Sequence, residues 1–289
     1  MASRLDGLNQ AFLQQSENIQ HLCDTINGAL NNAGTMQKAH AADAEWRYVE
    51  LKRGLEQLAA DRETQNRSRS LLLSKISEVG QIPAECFSNA ILLCDRREAV
   101  RRLPKGGVAA ELGVAYGDFS EFILTEMKPR HFYAIDIFSG DIWNRHDIEM
   151  SGMDHEHWYI DRFKQYIPDK MTVLKGLSWE MLEGLEDDLF DYIYIDACHD
   201  YKAVNRDIEA AVRKLRSGGI LQFNDYTLYD PIEKTYYGTV PAVNRLIAST
   251  GSQVLFYCLG VGGFDDIVIR LNKNSSSIGQ AGDYTSIAP

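Results

Sequence analysis

Residues 108–120 read VAAELGVAYGDFS. The apolar run predicts a buried strand, the glycines at positions 113 and 117 predict a turn, and the residues after them predict the start of a helix. A strand, a glycine-rich turn and a helix in this order open the cofactor crevice of a doubly wound α/β domain. We therefore expect Gly113 and Gly117 to let a bound cofactor approach the backbone closely. The alternative is an ordinary strand-to-helix turn that contains two glycines.

An acidic residue at this turn narrows the class of cofactor. Glu111 lies two residues before the first glycine, whereas a pyrophosphate at the start of a helix requires positive partial charge there rather than a carboxylate. The segment also lacks the G-x-G-x-x-G pattern of dinucleotide sites. A carboxylate suits a cofactor that carries a positive centre and an amino group, as S-adenosylmethionine does. We therefore predict that Glu111 helps to bind S-adenosylmethionine.

A second acidic residue follows the next predicted strand. Residues 131–136 read HFYAID, so the apolar run ends in Asp136. An acid at the end of the second strand can accept hydrogen bonds from both ribose hydroxyls of a nucleoside cofactor. The alternative is a strand-end aspartate that caps a turn. Its position one strand–helix unit after Glu111 favours the ribose contact.

The composition is that of a globular protein, with 289 residues, 45% of them hydrophobic and 25% charged. No apolar run is long enough to span a bilayer, and the first residues lack the apolar core of a signal peptide. We therefore expect a cytoplasmic protein with no membrane partner. The five cysteines are an odd number and form no CxxC pair, which favours free thiols over disulfides or structural zinc.

The net charge of −11 is concentrated in one part of the chain. Residues 1–107 hold 14 basic and 13 acidic side chains, a sum of +1, and residues 108–289 hold 16 basic and 28 acidic side chains, a sum of −12. A domain with this charge repels polyanions. Nucleic acid is therefore disfavoured as a partner, because contacts with phosphate supply much of the affinity for it.

The N-terminal residues 1–80 contain no proline, and apolar residues recur from Leu5 with heptad spacing. This pattern predicts a helical arm, either a coiled coil or a long helical hairpin with a break near residues 27–35. We expect the arm to form a homo-oligomer; the alternative is a helical layer packed on the α/β domain of the same chain. The polar residues 273–289 are rich in Ser and Gly and predict a loose tail.

Residues 81–272 predict a doubly wound α/β domain with a mostly parallel, seven-stranded sheet. Residues 85–103 are expected to form one helix that ends at Pro104. The last two strands are separated by a glycine-rich segment, so the sheet should finish in a C-terminal antiparallel hairpin. The strands are predicted at residues 108–112, 132–136, 171–174, 191–196, 220–224, 253–259 and 267–271.

Polar side chains follow the fourth and fifth of these strands. Because the carboxyl ends of parallel strands share one edge of a sheet, Asp196, His199, Asn224 and Asp225 should converge near the cofactor. Carboxylate and amide oxygens suit Mg²⁺ or a similar divalent ion, which could hold a substrate hydroxyl and lower its pKa. His199 could then accept the hydroxyl proton as a general base. The alternatives are that Asp196 contacts the cofactor and that the residues at 224 and 225 cap a loop.

Five motifs in order resemble class I S-adenosylmethionine-dependent methyltransferases, over about residues 82–271. The branch that they resemble most is the bacterial, metal-dependent sugar O-methyltransferases of macrolide and aminocoumarin biosynthesis. The motifs read LPKGG at 103–107 with AELGV at 110–114 and Gly117, ID at 135–136, ID-x-x-H-x-Y at 195–201, LRSGG at 215–219, and NDY at 224–226.

The resemblance implies roles for individual residues. An aspartate after the fourth strand and an acidic pair after the fifth bind Mg²⁺ in that branch, which correspond here to Asp196, Asn224 and Asp225; the asparagine departs from the pattern and removes one negative charge. His199 matches the spacing of the catalytic base. Ser178 is expected to lie against the adenine, with the neighbouring Trp179 either a wall of that pocket or an ordinary core aromatic.

A long connection between the second and third strands, residues 139–166, is rich in aromatic and polar residues. We interpret it as a mobile lid over the methyl acceptor. Residues 226–239, which contain three tyrosines after Tyr226, are a second candidate lid.

The sequence therefore predicts methyl transfer from S-adenosylmethionine to a small-molecule hydroxyl, on a sugar or glycoside, with a divalent metal that orients the hydroxyl and His199 as base. Two alternatives belong to other classes. One is an oxidoreductase that binds NAD(P), which the absence of G-x-G-x-x-G and the terminal hairpin disfavour. The other is a coiled-coil scaffold with a vestigial α/β domain, which the intact set of Glu111, Asp136 and Asp196 disfavours.

Overall fold

The computed structural model describes residues 14, 17–25, 49–60, 62, 79–139, 151–232 and 234–273. The chain divides into two compact units, Met1–Leu71 and Leu72–Pro289. In the first unit, residues 17–25 and 49–60 are helical. The predicted break near residues 27–35 and the tail beyond Lys273 lie outside the described residues, and the oligomeric role of the arm stays a prediction.

The second unit alternates strands and helices. Its strands are β1 (Ile91–Leu93), β2 (Val108–Leu112), β3 (His131–Asp136), β4 (Met171–Lys175), β5 (Phe190–Ile195), β6 (Leu215–Phe223), β7 (Tyr229–Asp230), β8 (Thr235–Tyr236), β9 (Gln253–Cys258) and β10 (Asp266–Arg270). Its α-helices are α1 (Arg96–Arg102), α2 (Asp118–Glu126), α3 (His155–Phe163), α4 (Ser178–Glu183), α5 (Tyr201–Lys214) and α6 (Thr239–Thr250). Short 3₁₀ turns span Ala84–Phe87 and Val261–Gly263. None of the helices within the described ranges combines the length and the apolarity that crossing a bilayer requires.

The main sheet has the strand order β1-β9-β10-β6-β5-β2-β3-β4. Strands β2 to β6 pair in parallel, and β10 runs antiparallel to both β6 and β9. The predicted Rossmann-like architecture and its C-terminal antiparallel hairpin are thereby confirmed. A separate two-stranded hairpin is formed by β7 and β8.

The sheet has eight strands rather than the seven predicted. The additional strand, β1, pairs in parallel with β9 at the edge of the sheet, within the segment 85–103 that was expected to be a single helix. That expectation is wrong because Asp95 begins a new helix: its side chain accepts a hydrogen bond from the backbone N–H of Glu98, which caps the start of α1. The three apolar residues before Asp95 lie extended along the sheet instead.

The core consists of two apolar layers, one on each face of the sheet. Strand β2 is buried along its whole length, between β5 on one side and β3 on the other. From β2 the chain proceeds to β3 and β4 in one direction and later to β5 and β6 in the other. The point at which the strand order reverses therefore lies at the carboxyl ends of β2 and β5, where open α/β sheets bind their ligands.

Gly113 permits the close approach of these two strand ends. Its φ is +82°, and a Cβ atom at this position would lie 2.0 Å from the carbonyl oxygen of Asp196. The backbone N–H of Asp196 donates to the carbonyl of Leu112 at 2.8 Å, and the N–H of Gly113 donates to the carbonyl of Ile135 at 2.8 Å. A side chain at position 113 would separate β5 from the turn.

We expect Gly113→Ala to lower the free energy of unfolding by about 3–5 kcal/mol, because left-handed strain and steric overlap add. Gly218→Ala is the matched control, since Gly218 has a similar φ of +74° and open space where its Cβ would lie; it should lose only about 1–2 kcal/mol. Urea denaturation measures both. Equal losses would show that the contact with Asp196 does not constrain the turn.

Candidate active site

Asp136 holds the glycine-rich turn against the end of β3. Its Oδ2 accepts hydrogen bonds from the backbone N–H groups of Val114 and Ala115 at 2.8 and 3.3 Å, and its Oδ1 accepts one from Phe138 at 2.7 Å. A carboxylate offers about four lone-pair sites, so these contacts leave room for one further donor on Oδ1. Asp136 therefore caps the turn, as the alternative interpretation predicted. Its contact with a ribose stays a prediction.

Glu111 lies beneath the turn, with only 1% of its surface exposed. Its carboxyl group accepts a hydrogen bond from the Ser120 hydroxyl, which in turn accepts one from the Tyr159 hydroxyl at 2.8 Å. Burial raises the pKa of Glu111 well above its usual range. The hydrogen-bond partner of Glu111 is thus Ser120, a residue of the same chain. The predicted contact between Glu111 and a cofactor amino group stays a prediction.

Gly117 begins α2 with a φ of +80°, and a Cβ atom there would lie 2.5 Å from the Phe163 ring and 2.8 Å from the Tyr159 ring. The packing of α3 thus explains this glycine without a ligand. Tyr159 and Phe163 are almost fully buried, and His155 Nε2 lies 2.6 Å from the carbonyl oxygen of Ala115, so α3 packs against the turn. The lid predicted for residues 139–166 stays a prediction. The predicted lid residues 140–150 lie outside the described part of the chain.

Ser178 begins α4, and its side chain is buried. Its hydroxyl donates to the Asp207 carboxyl group, whose pKa burial raises to about 7. The contact between Ser178 and an adenine stays a prediction. Trp179 packs against the core beneath the guanidinium of Arg206, 5.2 Å from the ring centroid, as its core alternative predicted.

The structure brings together the four polar residues that follow β5 and β6. His199 Nε2 lies 3.8 Å from Asp196 Oδ1 and 3.6 Å from Asp225 Oδ2. The side-chain amide of Asn224 donates to Asp196 Oδ1 at 2.8 Å. These side chains lie beside Gly113, because the backbone of Asp196 contacts that glycine directly.

His199 is positioned by the second candidate lid. Its ring stacks on Tyr237, with centroids 4.5 Å apart and planes 13° apart, and its carbonyl oxygen accepts a hydrogen bond from Gly238. The Tyr237 hydroxyl donates to Asp230 of β7 at 2.8 Å. Nε2 of His199 is buried and has no hydrogen-bond partner among the described residues. Burial lowers the pKa of His199, although Asp225 and Asp230 oppose this effect, so the neutral imidazole is favoured.

Arg96, the first residue of α1, was missed by the sequence analysis. Its Nη1 donates to Asn224 Oδ1 at 2.7 Å and to the Tyr194 hydroxyl at 2.8 Å, and lies 3.8 Å from Asp196 Oδ2. The Tyr194 hydroxyl donates to the same Asn224 oxygen at 3.1 Å. The guanidinium also covers the ring of Phe119 at 4.7 Å. An arginine on a short helix carries no motif that could have indicated this position.

The predicted metal ligands Asp196, Asn224 and Asp225 do not fit a divalent ion as a set. An amide oxygen accepts two hydrogen bonds, and Asn224 Oδ1 already accepts two. A divalent ion about 4 Å from the guanidinium would be repelled by about 8 kcal/mol at an effective dielectric constant of about 20. Among the residues that the structure describes, no group of three His, Cys, Asp or Glu side chains is arranged to hold a metal.

We expect the pKa of His199 to lie below its ordinary value of 6.5, because burial disfavours the imidazolium. Titration of ¹⁵N-histidine-labelled protein by NMR measures this value, and the resonance is assigned by its loss in His199→Gln. Above this pKa the ring is neutral and able to accept a proton. A pKa above 6.5 would mean that the neighbouring carboxylates outweigh burial.

Residues 110–226, about two fifths of the chain, match a family model described as a methyltransferase domain. The O-methyltransferase TomG from Streptomyces achromogenes, solved in complex with SAM, aligns at 16% identity over 61% of this chain and 79% of that chain, with a TM-score of 0.44. The N-methyltransferase NodS from Bradyrhizobium japonicum, solved with S-adenosyl-L-homocysteine, aligns at 18% identity over 61% and 84%, with a TM-score of 0.43.

A search of curated proteins by sequence finds no match. The part of the chain that the family model covers runs from β2 to Tyr226 and includes the turn, Asp136, His199 and the ends of β5 and β6. Residues 110–226 therefore match a methyltransferase domain, set in a Rossmann-like fold.

Proposed function

We propose that this protein transfers the methyl group of S-adenosylmethionine to a hydroxyl group of a small molecule, of the sugar or glycoside class. The observation that carries the proposal is the unpartnered Nε2 of His199 at the edge of the sheet where the glycine-rich turn ends. The methyltransferase-domain match over the same residues supports the cofactor. The sugar class rests on the resemblance of the motifs alone.

The turn and Asp136 supply the cofactor side of the proposed site. Strand order reverses beside Gly113, and Asp136 holds the turn in place through its bonds to Val114 and Ala115. Asp136 Oδ1 accepts one hydrogen bond, from Phe138, so it would be able to accept a second from one ribose hydroxyl. A cofactor bound in this crevice would lie beside the contact between Gly113 and Asp196 and would supply the methyl group.

The reaction is a displacement at the methyl carbon. The oxygen of the acceptor forms the new C–O bond while the C–S bond breaks, and the electron pair leaves with the sulfur of S-adenosylhomocysteine. The hydroxyl proton passes to Nε2 of His199, which burial keeps neutral. The carboxylate of Asp225, whose Oδ2 lies 3.6 Å from that nitrogen, would stabilise the imidazolium that forms. Positioning of the two reactants supplies most of the remaining rate enhancement.

Binding of S-adenosylhomocysteine is the first test of the cofactor. We expect stoichiometric binding in calorimetric titration, with NAD as a ligand that does not bind. Asp136→Asn should weaken the affinity about 10- to 100-fold, because a hydrogen bond to a charged group contributes about 1.5–3 kcal/mol. Asp161→Asn, which removes an exposed acid paired with Lys164, is the control and should bind as the wild type does. Binding of NAD alone would replace the proposal with an oxidoreductase.

Transfer of a labelled methyl group to a panel of sugars and glycosides tests the acceptor class. For the acceptor found, His199→Gln should lower kcat by about 10²–10⁴-fold, which is the usual contribution of a general base, without a change in affinity for S-adenosylhomocysteine. Tyr237→Phe, which keeps the stacked ring, is the matched control and should retain most of the activity. Full turnover of His199→Gln would remove the assigned base.

A further inference from the structure

We propose that the guanidinium of Arg96 takes the place of a divalent cation at the edge of the sheet formed by the ends of β5 and β6. Arg96 is thus a positioning residue that holds Asp196 and Asn224, and the site works without a bound metal. The contacts of Arg96 with Asn224, Tyr194 and Asp196 are features of the structure itself. The claim that methyl transfer needs no metal rests on the proposed function.

The contacts of Arg96 join side chains from several strands. Nη1 donates to Asn224, after β6, and to Tyr194 of β5, and the side chain of Arg96 is 39% exposed. Asp196 Oδ2 is within 3.8 Å. A metal ion at this place would have to displace the hydrogen bonds that Asn224 Oδ1 accepts from Arg96 and from the Tyr194 hydroxyl.

Asn224 links the cation to the carboxylate in a way that an acid could not. Its oxygen accepts from Arg96 and its amide N–H donates to Asp196. An aspartate at this position would have no proton to donate to Asp196 when ionised, and the two carboxylates would then attract a divalent ion. Asn224, which departs from the metal-binding pattern, can therefore accept a hydrogen bond from the Arg96 guanidinium and donate one to Asp196 at the same time.

The charges around Arg96 explain why a cation is needed here. Four carboxyl groups interact electrostatically with Arg96, and they belong to Glu111 of β2, Asp196 beyond the end of β5, Asp225 beyond the end of β6, and Asp266 of β10. A guanidinium stays charged at every physiological pH. One permanent positive charge thus balances the carboxyl groups with no metal to be gained or lost.

The experiment begins with the wild-type protein after treatment with EDTA. Titration with Mn²⁺, followed by electron paramagnetic resonance, should give no saturable binding, and titration with S-adenosylhomocysteine should give the same affinity in EDTA as in Mg²⁺. Stoichiometric binding of Mn²⁺ would overturn the inference. If S-adenosylhomocysteine does not bind under either condition, the proposed function fails while the Mn²⁺ result still decides the inference.

A pair of variants tests the charge of Arg96 apart from its packing. Burial raises the pKa of Asp266 to about 7 and Arg96 opposes this rise, so Arg96→Gln should raise the pKa of Asp266 further above its value in the unfolded chain. A group whose pKa is raised by folding destabilises the folded state while it is ionised, and this cost vanishes as it becomes protonated. The fall in Tm caused by Arg96→Gln should therefore be largest at pH 8 and shrink towards pH 5.

Arg96→Lys keeps the charge and is the matched control, with a Tm that differs from the wild type by the same amount at both pH values. A loss in Arg96→Gln that does not change with pH would show that Arg96 acts by packing alone and would overturn the inference. If Arg96→Gln does not fold, the Mn²⁺ titration of the wild type and of Arg96→Lys decides, since neither should bind the ion.

Discussion

The contact between the ends of β2 and β5 is the constraint on which the rest of the site depends. Gly113 adopts a left-handed conformation that brings the backbone of Asp196 against the turn, and the two strand ends share a hydrogen bond from Asp196 to Leu112. The turn that would hold the cofactor and the loop that carries His199 are therefore parts of one rigid edge. Asp136 completes this edge from the other side, because it holds the same turn against β3.

Such close packing brings several carboxyl groups together at this edge of the sheet, and their negative charge must be balanced by a positive one. Burial raises the pKa values of Glu111, Asp196 and Asp266, since an ionised carboxylate is poorly solvated there. Arg96 supplies the positive charge from outside the sheet, and the Asn224 amide distributes it to Asp196. In this arrangement Asn224 Oδ1 already accepts two hydrogen bonds from the chain's own side chains, and Asp196 Oδ1 accepts one from Asn224.

The strands and the edge of the sheet could be predicted from the sequence, because long apolar runs and strand-end polar residues are local signals. The convergence of Asp196, His199 and Asp225 follows from parallel topology alone. Strand β1 could not be predicted, since three apolar residues before a helix cap look like the first turn of that helix. Arg96 lies 128 positions from Asn224 in the chain, and its partners follow from the docking of α1 rather than from any local pattern. Tyr237 was assigned to a lid, although its ring packs on His199.

The unpaired nitrogen of His199 has an energetic consequence. A buried polar atom without a hydrogen bond costs about 1–3 kcal/mol, and among the described residues Nε2 of His199 shares this state with Asp207 Oδ2 and Thr239 Oγ1. The ring cannot rotate away from this position freely, because it stacks on Tyr237 and its carbonyl accepts the N–H of Gly238. Nε2 of His199 lies near two carboxyl groups, and burial favours the neutral ring. In the proposed reaction, the tautomer with its proton on Nδ1 would leave Nε2 able to accept the proton of a hydroxyl group that reached this edge.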